Sequence, residues 1–274
     1  MLYAYVYDKF VLEDQAFISI NERGFLYGDG VFETIRVVNS IPYLWPSHLN
    51  RLQLGLSELR ITIPNLAEHL INLITEIIKL NKITNAIIRV NITRGIGSEG
   101  YAPLKNIKPN LVIQTREILA DSDKAIDLFL LENAKTGGVN YKSVNSAPYV
   151  ISKIIATENN YTESLIIDKE GYICETSSAN IFWFKSNKLY TPSLELGIVA
   201  GVMRQKIIDL ELCEIVIGKF NRQNLCDADE IFISNISRII TPVKNISGLV
   251  SNKVNYEKAL QLKGFISHNI NNIN

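Results

Sequence analysis

The stretch Gly171-Tyr-Ile-Cys-Glu-Thr-Ser-Ser-Ala-Asn-Ile-Phe-Trp183 is the starting point for a prediction of the fold. Two apolar, strand-like stretches flank a run of small polar residues, and Glu175 stands where the first stretch ends. A strand, a tight turn and a second strand form the unit of an antiparallel sheet. Glu175 is either exposed, as glutamates usually are, or turned inward to pair with a protonated ring nitrogen. The small residues would let a flat ligand approach the backbone, and the local sequence leaves both interpretations open.

The same pattern of strands and turns continues on both sides of this segment. Short strands are predicted at 126–131, 164–168, 172–175, 180–184, 188–190 and 230–233. Helices are predicted at 149–159, 202–212 and 256–266. These short strands and helices predict a second subdomain in this part of the chain.

The N-terminal part mixes strands with two long helices. Strands are predicted at 2–7, 31–38, 41–44, 86–93 and 111–115. One helix is predicted from Ser47, as its N-cap, to Leu59, and a second over Leu66–Leu80. Residues 116–124 are polar and lack periodicity, which indicates a linker. We therefore predict an α+β fold with two subdomains, an N-terminal one (1–116) and a C-terminal one (125–274), joined by a linker (117–124).

The composition excludes several classes of function. The 28 basic residues balance the 28 acidic ones, which argues against broad electrostatic attraction to nucleic acid or to an anionic membrane. The three cysteines and three histidines are scattered without the spacing of metal ligands, so we expect no metal site. Sparse cysteines and the lack of a signal sequence favour a cytoplasmic protein. We expect its binding partner to be a small-molecule substrate.

Lys142 is the candidate nucleophile, in Gly137-Gly-Val-Asn-Tyr-Lys-Ser-Val-Asn-Ser-Ala-Pro148. It follows a glycine pair and precedes a predicted helix, and no other charged residue occurs in this stretch. A desolvated lysine has a lowered pKa and becomes a nucleophilic amine. The alternative is an exposed lysine on a loop, and the local sequence by itself favours that alternative.

A candidate anion site lies at Gly197-Ile-Val-Ala-Gly-Val-Met-Arg204, where glycines lead into a predicted helix. Backbone N–H groups at a helix start favour an anion such as phosphate, although many helix entries bind nothing. The segment has neither the Gly-Lys-Ser/Thr of a Walker loop nor the spacing of a dinucleotide-binding turn. Arg51 could add a cation, but an exposed helix face is the favoured interpretation of Arg51 alone.

A lysine amine, a carboxylate, a helix N-terminus and an arginine suit an aldehyde cofactor that carries a phosphate and a pyridinium. Nearly the whole chain resembles the class IV, or fold-type IV, pyridoxal 5'-phosphate (PLP) enzymes. This family includes D-amino-acid aminotransferases, branched-chain aminotransferases and aminodeoxychorismate lyases. The resemblance implies a smaller N-terminal α/β subdomain and a larger, β-barrel-like C-terminal subdomain. The matching segments are Asn21-Glu-Arg-Gly-Phe-Leu-Tyr-Gly-Asp-Gly-Val-Phe-Glu-Thr-Ile-Arg36, His48-Leu-Asn-Arg51-Leu, Lys142 with its flanks, Glu175-Thr-Ser-Ser-Ala-Asn-Ile-Phe182, and residues 197–204.

The resemblance implies a role for each matching residue. Lys142 would hold PLP as an imine and move the substrate proton, and Glu175 would keep the pyridine nitrogen protonated. Asn180 would shape the turn behind the ring. The implied phosphate ligands are Arg51, the backbone amides of Val202 and Met203, and Ser237.

Within the family, Phe32-Glu-Thr34 and Ser234-Asn235 resemble the aminodeoxychorismate lyases. Such enzymes form 4-aminobenzoate, for folate biosynthesis, and pyruvate from 4-amino-4-deoxychorismate. Thr34 would join Lys142 in catalysis and, with Asn235 and Arg94, would contact the substrate. Glu99 departs from the pattern, because the lyases often have arginine there. The alternatives are an aminotransferase for D- or branched-chain amino acids and a non-catalytic PLP carrier, and the resemblance implies a homodimer.

Overall fold

The computed structural model describes residues 1–118, 123–249 and 255–271, which form two compact units. The N-terminal unit contains Met1–Ile118, Tyr141–Asn145 and the described residues from Ile270 onward. The C-terminal unit contains the described residues of Leu119–Asn140 and Ser146–Asn269. Part of the predicted linker lies outside the described residues, so its boundaries stay a prediction.

The N-terminal unit is built on a six-stranded antiparallel sheet with the order β2-β1-β8-β5-β3-β4. A separate two-stranded ribbon joins β6 and β7. The strands are β1 (Tyr3–Val6), β2 (Lys9–Leu12), β3 (Gly30–Val38), β4 (Ile41–Pro42), β5 (Ala86–Thr93), β6 (Ser98–Glu99), β7 (Ala102–Pro103) and β8 (Asn110–Arg116). The helices are α1 (Arg23–Tyr27), α2 (Trp45–Glu58) and α3 (Leu66–Leu80).

One face of this sheet forms a hydrophobic core with α2 and α3. The α3 helix contributes apolar residues at helical spacing, namely Leu66, Leu70, Ile74, Ile77 and Ile78. The predicted N-cap of α2 was wrong, because the helix begins at Trp45, ahead of Ser47, and Leu44 is its N-cap. Pro46 explains the earlier start, since its fixed φ suits the first turn and it needs no N–H partner there.

Tyr141–Asn145 belongs to the N-terminal unit, which differs from the predicted boundaries that placed it within 125–274. The Phe32 N–H donates to the Lys142 carbonyl over 2.8 Å, and the Val144 N–H donates to the Gly30 carbonyl over 3.0 Å. The start of β3 is open to this pairing because β4 pairs only with Val37 and Val38.

The C-terminal unit contains an eight-stranded mixed sheet with the order β11-β10-β9-β16-β15-β12-β13-β14. Its strands are β9 (Ile126–Leu131), β10 (Glu163–Ile167), β11 (Ile173–Thr176), β12 (Asn180–Lys185), β13 (Lys188–Pro192), β14 (Ile215–Gly218), β15 (Glu230–Asn235) and β16 (Ile239–Ile246). Its helices are α4 (Ala147–Glu158), α5 (Val202–Asp209), α6 (Gln223–Cys226) and most of α7 (Glu257–Asn271).

The larger sheet curls, because β11 at its edge contacts β12 and β13, although β10, β9, β16 and β15 separate them in the strand order. A hydrophobic core that includes Leu165, Ile181 and Trp183 packs against the curled sheet. The predicted α+β fold, with a barrel-like sheet in its larger part, is therefore confirmed. Within the described ranges, no helix is both long enough and apolar enough to cross a membrane.

Candidate functional site

In the N-terminal unit, the face of β3, β5 and β8 opposite the core carries polar side chains. Register places Thr34 opposite Arg89, and Arg89 opposite Gln114. We call this surface the polar face. Its residues are Phe32, Thr34, Arg36, Ile87, Arg89, Asn91, Val112, Gln114 and Arg116.

Lys142 reaches the polar face. Its Nζ lies 4.7 Å from the centroid of the Phe32 ring, and Cζ of Arg89 lies 3.9 Å from the same centroid. Thr34 follows two residues after Phe32 and points to the same side. Burial, and next the positive charge of Arg116, lower the pKa of Arg89. The structure thus places the predicted residues Lys142 and Thr34 on one cationic surface, together with Arg89, which the sequence analysis missed.

Arg51 lies on the other side of the same sheet, paired with Glu33. Its Nε and Nη2 donate to the two carboxylate oxygens of Glu33, each over 2.7 Å, and Nδ1 of His48 lies 2.7 Å from Glu33 Oε2. Burial raises the pKa of Glu33, but the charge and hydrogen bonds of Arg51 and the hydrogen bond of His48 outweigh it and lower this pKa to about 2. Arg51 is therefore a buried, oriented cation and not the solvated helix residue that local sequence favours.

Arg94, predicted to contact substrate, is held within the N-terminal unit. Its guanidinium donates to both oxygens of Asp29, over 2.7 and 3.0 Å, and to the carbonyl of Leu59 over 2.7 Å. Nε of Arg23 donates to the same carboxylate over 2.7 Å. These contacts favour a structural role for Arg94 over the predicted substrate contact, since they anchor the start of the 94–101 loop. The side chain of Glu99 in that loop lies outside the described residues.

In the C-terminal unit, Glu175 is turned inward at the end of β11, where only 3% of its surface is exposed. Its Oε1 accepts from the Tyr149 hydroxyl over 2.7 Å and from the Val199 N–H over 3.0 Å. Nδ2 of Asn180 donates to Oε2 over 3.3 Å. Burial, followed by the negative charge of Glu175, raises the pKa of Tyr149 above its usual range, so the phenol stays protonated as a donor. Glu175 is therefore turned inward and not exposed, while its pairing with a ring nitrogen stays a prediction, and Tyr149 is a partner that the sequence did not reveal.

The entry to α5 lies beside this carboxylate. Asn180 Nδ2 also donates to the Val199 carbonyl over 2.9 Å, and a side chain at Gly201 would overlap Asn180 Oδ1. Asn180 therefore shapes this turn, as predicted. The helix starts at Val202 without a side-chain cap, so the amides of Val202 and Met203 lie at the positive end of the helix.

Asn235 is the last residue of β15, and Ser237 lies in the turn between β15 and β16. Asn235 Oδ1 accepts from the N–H groups of Ser237, over 3.1 Å, and Arg238, over 2.9 Å. Asn235 Nδ2 donates to the Ser178 carbonyl over 3.3 Å. This turn thus adjoins the small-residue turn after Glu175, and the Asn235 amide stabilises both turns.

The sequence pattern described as amino-transferase class IV matches residues 30–246. The chain belongs to the class IV aminotransferase family. Enzymes of this family use PLP, so the predicted family and cofactor are confirmed.

Relatives of this class IV enzyme include proteins with different printed activities. It is 32% identical over 256 residues to the "Putative branched-chain-amino-acid aminotransferase" of Methanocaldococcus jannaschii, covering 90% of this chain and 89% of that protein. It is 30% identical over 262 residues to the aminodeoxychorismate lyase of Bacillus subtilis, covering 92% and 87%. The branched-chain amino acid aminotransferase from Escherichia coli has the same fold, with a TM-score of 0.88, 24% identity, and coverage of 97% of this chain and 92% of that chain.

The described residues of this class IV enzyme fit PLP chemically. Lys142 provides an amine, and Glu175 a buried carboxylate held by hydrogen-bond donors. The uncapped start of α5 offers amides to a phosphate, and Arg51 offers a cation whose orientation Glu33 fixes. Since the two curated relatives have nearly equal identity, the choice between lyase and aminotransferase depends on the site.

Proposed function

We propose that this enzyme is an aminodeoxychorismate lyase, which converts 4-amino-4-deoxychorismate to 4-aminobenzoate and pyruvate for folate biosynthesis. The observation that supports this proposal is the polar face, where Thr34 and three arginines share a surface with Lys142. The substrate carries one carboxylate on its ring and another on its enolpyruvyl group. A face with arginines and without acidic residues favours such a dianion over an aliphatic side chain.

Lys142 performs the proton transfers in this proposal. PLP, when bound, supplies an electron sink. The Lys142 amine would hold the cofactor, then take the proton from the substrate carbon that bears the amino group. The C–O bond to the enolpyruvyl group would break, its electrons would stay with the departing oxygen, and a proton would complete the enol of pyruvate. Formation of the aromatic ring drives this elimination, and Lys142 acts as both base and acid.

The other residues bind and orient. Glu175 would accept a hydrogen bond from the protonated ring nitrogen of the cofactor. Thr34 would orient the enolpyruvyl group from the polar face. Asn235 would help to orient the same group and its carboxylate from the turn that it stabilises. The proposed phosphate ligands are Arg51, the amides of Val202 and Met203, and Ser237.

The decisive experiment is a product assay with 4-amino-4-deoxychorismate. The purified enzyme with PLP is expected to release 4-aminobenzoate and pyruvate in equal amounts, and Lys142→Ala is expected to abolish both products. Lys169→Ala is the matched control, because that amine is 82% exposed and lies outside the site. If the enzyme binds PLP and no 4-aminobenzoate forms, the lyase proposal is wrong.

An aminotransferase for D- or branched-chain amino acids is the second candidate, and the 32% identity to the archaeal relative favours it. Transamination leaves the amino group on the cofactor. Incubation with D-alanine or L-leucine, without a keto acid, would therefore convert the bound cofactor to pyridoxamine 5'-phosphate, measured by absorbance and by mass of the released cofactor. Such conversion without 4-aminobenzoate formation would establish the aminotransferase, and binding without turnover of any of these compounds would indicate a carrier.

We also propose that the enzyme works in the cytoplasm as a homodimer. Apolar side chains are exposed on two neighbouring segments of the N-terminal unit, with Phe17 at 74%, Ile20 at 76%, Phe25 at 70% and Tyr101 at 86% exposure. The segments adjoin, because the Tyr27 and Tyr101 ring centroids are 5.5 Å apart. A second copy of the chain would bury this surface.

Light scattering tests the dimer. Phe25→Asp is expected to shift the protein toward monomer, because a carboxylate would be buried in the contact. Leu54→Asp is the control, since Leu54 is 58% exposed on α2, outside this surface. A wild-type monomer at micromolar concentration would contradict the proposal.

A further inference from the structure

The segment 136–140 is bonded to the turn that leads into α5, and both belong to the C-terminal unit. The Thr136 hydroxyl donates to the Gly197 carbonyl over 3.0 Å, and the Ala200 N–H donates to the Asn140 carbonyl over 2.9 Å. Gly197 has a φ of +65°, and a Cβ there would lie only 3.1 Å from two backbone atoms of Gly138. The two stretches are therefore packed backbone against backbone as well as hydrogen-bonded.

The side chain of Asn140 contacts the same turn at two further points. It faces the carbonyls of Leu194 and Ile198, which accept hydrogen bonds but cannot donate them. The atom directed at them is therefore Nδ2, which donates to Ile198 over 2.8 Å and to Leu194 over 3.0 Å. Ile198 is fully buried in a small hydrophobic cluster with Ile166 and Cys174. One amide thus fixes the path of the turn from Leu194 to Ile198.

This turn determines how the first amides of α5 are oriented. The helix begins at Val202, and no side chain caps it. Asn180 bonds to the turn at Val199, and Thr136 and Asn140 hold residues on either side of Val199. An anion binds more tightly to N–H groups that are already oriented, because less backbone freedom is lost on binding.

We propose that Thr136 and Asn140 are positioning residues that hold the α5 entry in the shape required to bind the cofactor phosphate. This inference rests on the proposed role of the Val202 and Met203 amides as phosphate ligands. In this scheme neither side chain contacts the cofactor or the substrate, and both act through the backbone of the turn. Their contribution therefore depends on the phosphate group of the ligand and is absent when the ligand lacks one.

Calorimetric titration of the cofactor-free protein with PLP and with pyridoxal, which lacks the phosphate, measures this contribution without any turnover. Thr136→Val removes the hydroxyl and keeps the shape of the side chain, and Asn140→Ala removes the amide. We expect each variant to weaken PLP binding by roughly fivefold. Pyridoxal binding should stay unchanged, since pyridoxal is held through its aldehyde and its ring. The double variant should lose more affinity for PLP with the same selectivity.

Two matched controls lose comparable hydrogen bonds in the N-terminal unit. Asn81→Ala removes an amide whose Nδ2 donates to the Tyr3 carbonyl over 2.9 Å and to the Thr115 hydroxyl over 3.2 Å. Thr75→Val removes a hydroxyl that donates to the Ile71 carbonyl over 2.8 Å. Both variants should leave the ratio of PLP affinity to pyridoxal affinity unchanged.

Val202→Pro separates the possible failures. Proline suits the first position of a helix, where it removes one N–H, and the extended backbone of Gly201 is compatible with a following proline. This variant should lower the affinity ratio. If it does not, the inference fails together with the proposed phosphate ligands. If Val202→Pro lowers the ratio while the Thr136 and Asn140 variants leave it unchanged, or weaken both ligands equally, only the positioning role is overturned.

Discussion

Glu33 and Glu175 are both buried carboxylates, one in each unit, and they differ in their hydrogen-bond donors. Glu33 is paired with the guanidinium of Arg51 over 2.7 Å. Glu175 accepts from a phenol, a backbone amide and a side-chain amide. A cation bonds directly to the first carboxylate, whereas neutral dipoles donate the three hydrogen bonds described for the second, which also interacts with the positive charge of Arg204.

The difference is relevant to the ligand-binding role proposed for Glu175. A carboxylate that already has a cation orients that cation, as Glu33 orients Arg51. A carboxylate held by dipoles attracts a positive group from a ligand, as a protonated pyridine would be. Burial alone therefore does not distinguish the glutamate that is proposed to bind the cofactor, whereas the chemistry of its hydrogen-bond donors does.

Removing the cation that pairs with Glu33 should have the largest effect on the stability of the protein. Arg51→Gln leaves the Glu33 carboxylate buried without its guanidinium, so the free energy of unfolding should fall by about 3–5 kcal/mol. Urea unfolding followed by circular dichroism measures this loss. The double variant Arg51→Gln with Glu33→Gln should recover part of it, and a single variant as stable as the wild type would show that the pair does not stabilise the fold.

Acid should reduce the contribution of the ionised Glu33 carboxylate to the stability of the fold over a defined pH range. Its pKa falls from 4.5 to about 2 on folding, so the stabilisation is complete above pH 4.5 and is lost as the pH falls toward 2. The integrated effect is about 3 kcal/mol. Unfolding free energies measured from about pH 5 down to about pH 3 should decline less steeply for Glu33→Gln than for the wild type. Equal slopes would contradict the lowered pKa.

Replacing Glu175 should affect chemistry more than folding. Glu175→Gln cannot hold a pyridinium through a charge-assisted hydrogen bond, so product formation should fall by about a hundredfold. Cofactor should still bind through the phosphate ligands, which absorbance of the purified variant checks. Glu163→Gln is a control, since Glu163 is 4% exposed and bonds to the Ser178 hydroxyl over 2.6 Å. Unchanged turnover in Glu175→Gln would remove this carboxylate from the mechanism.

Removing one of the dipoles that donate to Glu175 should have the smallest effect on stability and turnover. Tyr149→Phe removes a single hydroxyl donor, while the Val199 N–H and the Asn180 amide still hold the carboxylate. We expect a loss of stability of about 1 kcal/mol and a few-fold lower turnover. Thermal unfolding and the product assay measure the two effects. A loss as large as that of Glu175→Gln would mean that Tyr149 itself takes part in the reaction.

Local patterns were sufficient to predict most of the elements of the fold. Period-two alternation located β3 and β5, and helical spacing located α3, because one face of each element is buried. Strand β16 was not predicted from the sequence, because Pro242 interrupts a run of β-branched residues there. Strand β14 was not predicted either, because it is a four-residue edge strand that pairs with one neighbour only.

The candidate site was predictable only in part. The ordered motifs identified Lys142, Glu175, Arg51 and the α5 entry, because each motif is local. Partners distant in sequence left no such signal, as with Tyr149, which is 26 positions from Glu175. Arg94 illustrates the converse, since its guanidinium is held by Asp29, 65 positions away. The sequence of a glycine-rich loop suggests that its arginine can contact the substrate, and only the folded chain shows the carboxylate with which this arginine pairs.

The placement of Tyr141–Asn145 in the N-terminal unit has a consequence for synthesis of the protein. When a ribosome has released the first 118 residues, the backbone partners of Gly30 and Phe32 have not yet been made. Those hydrogen bonds form only after Val144 has emerged, so the first-made unit completes its sheet while the second is already being synthesised. The segment that bears Lys142 thus pairs with β3 only late in synthesis. The surroundings of the Lys142 amine therefore form only when the chain has grown past this segment.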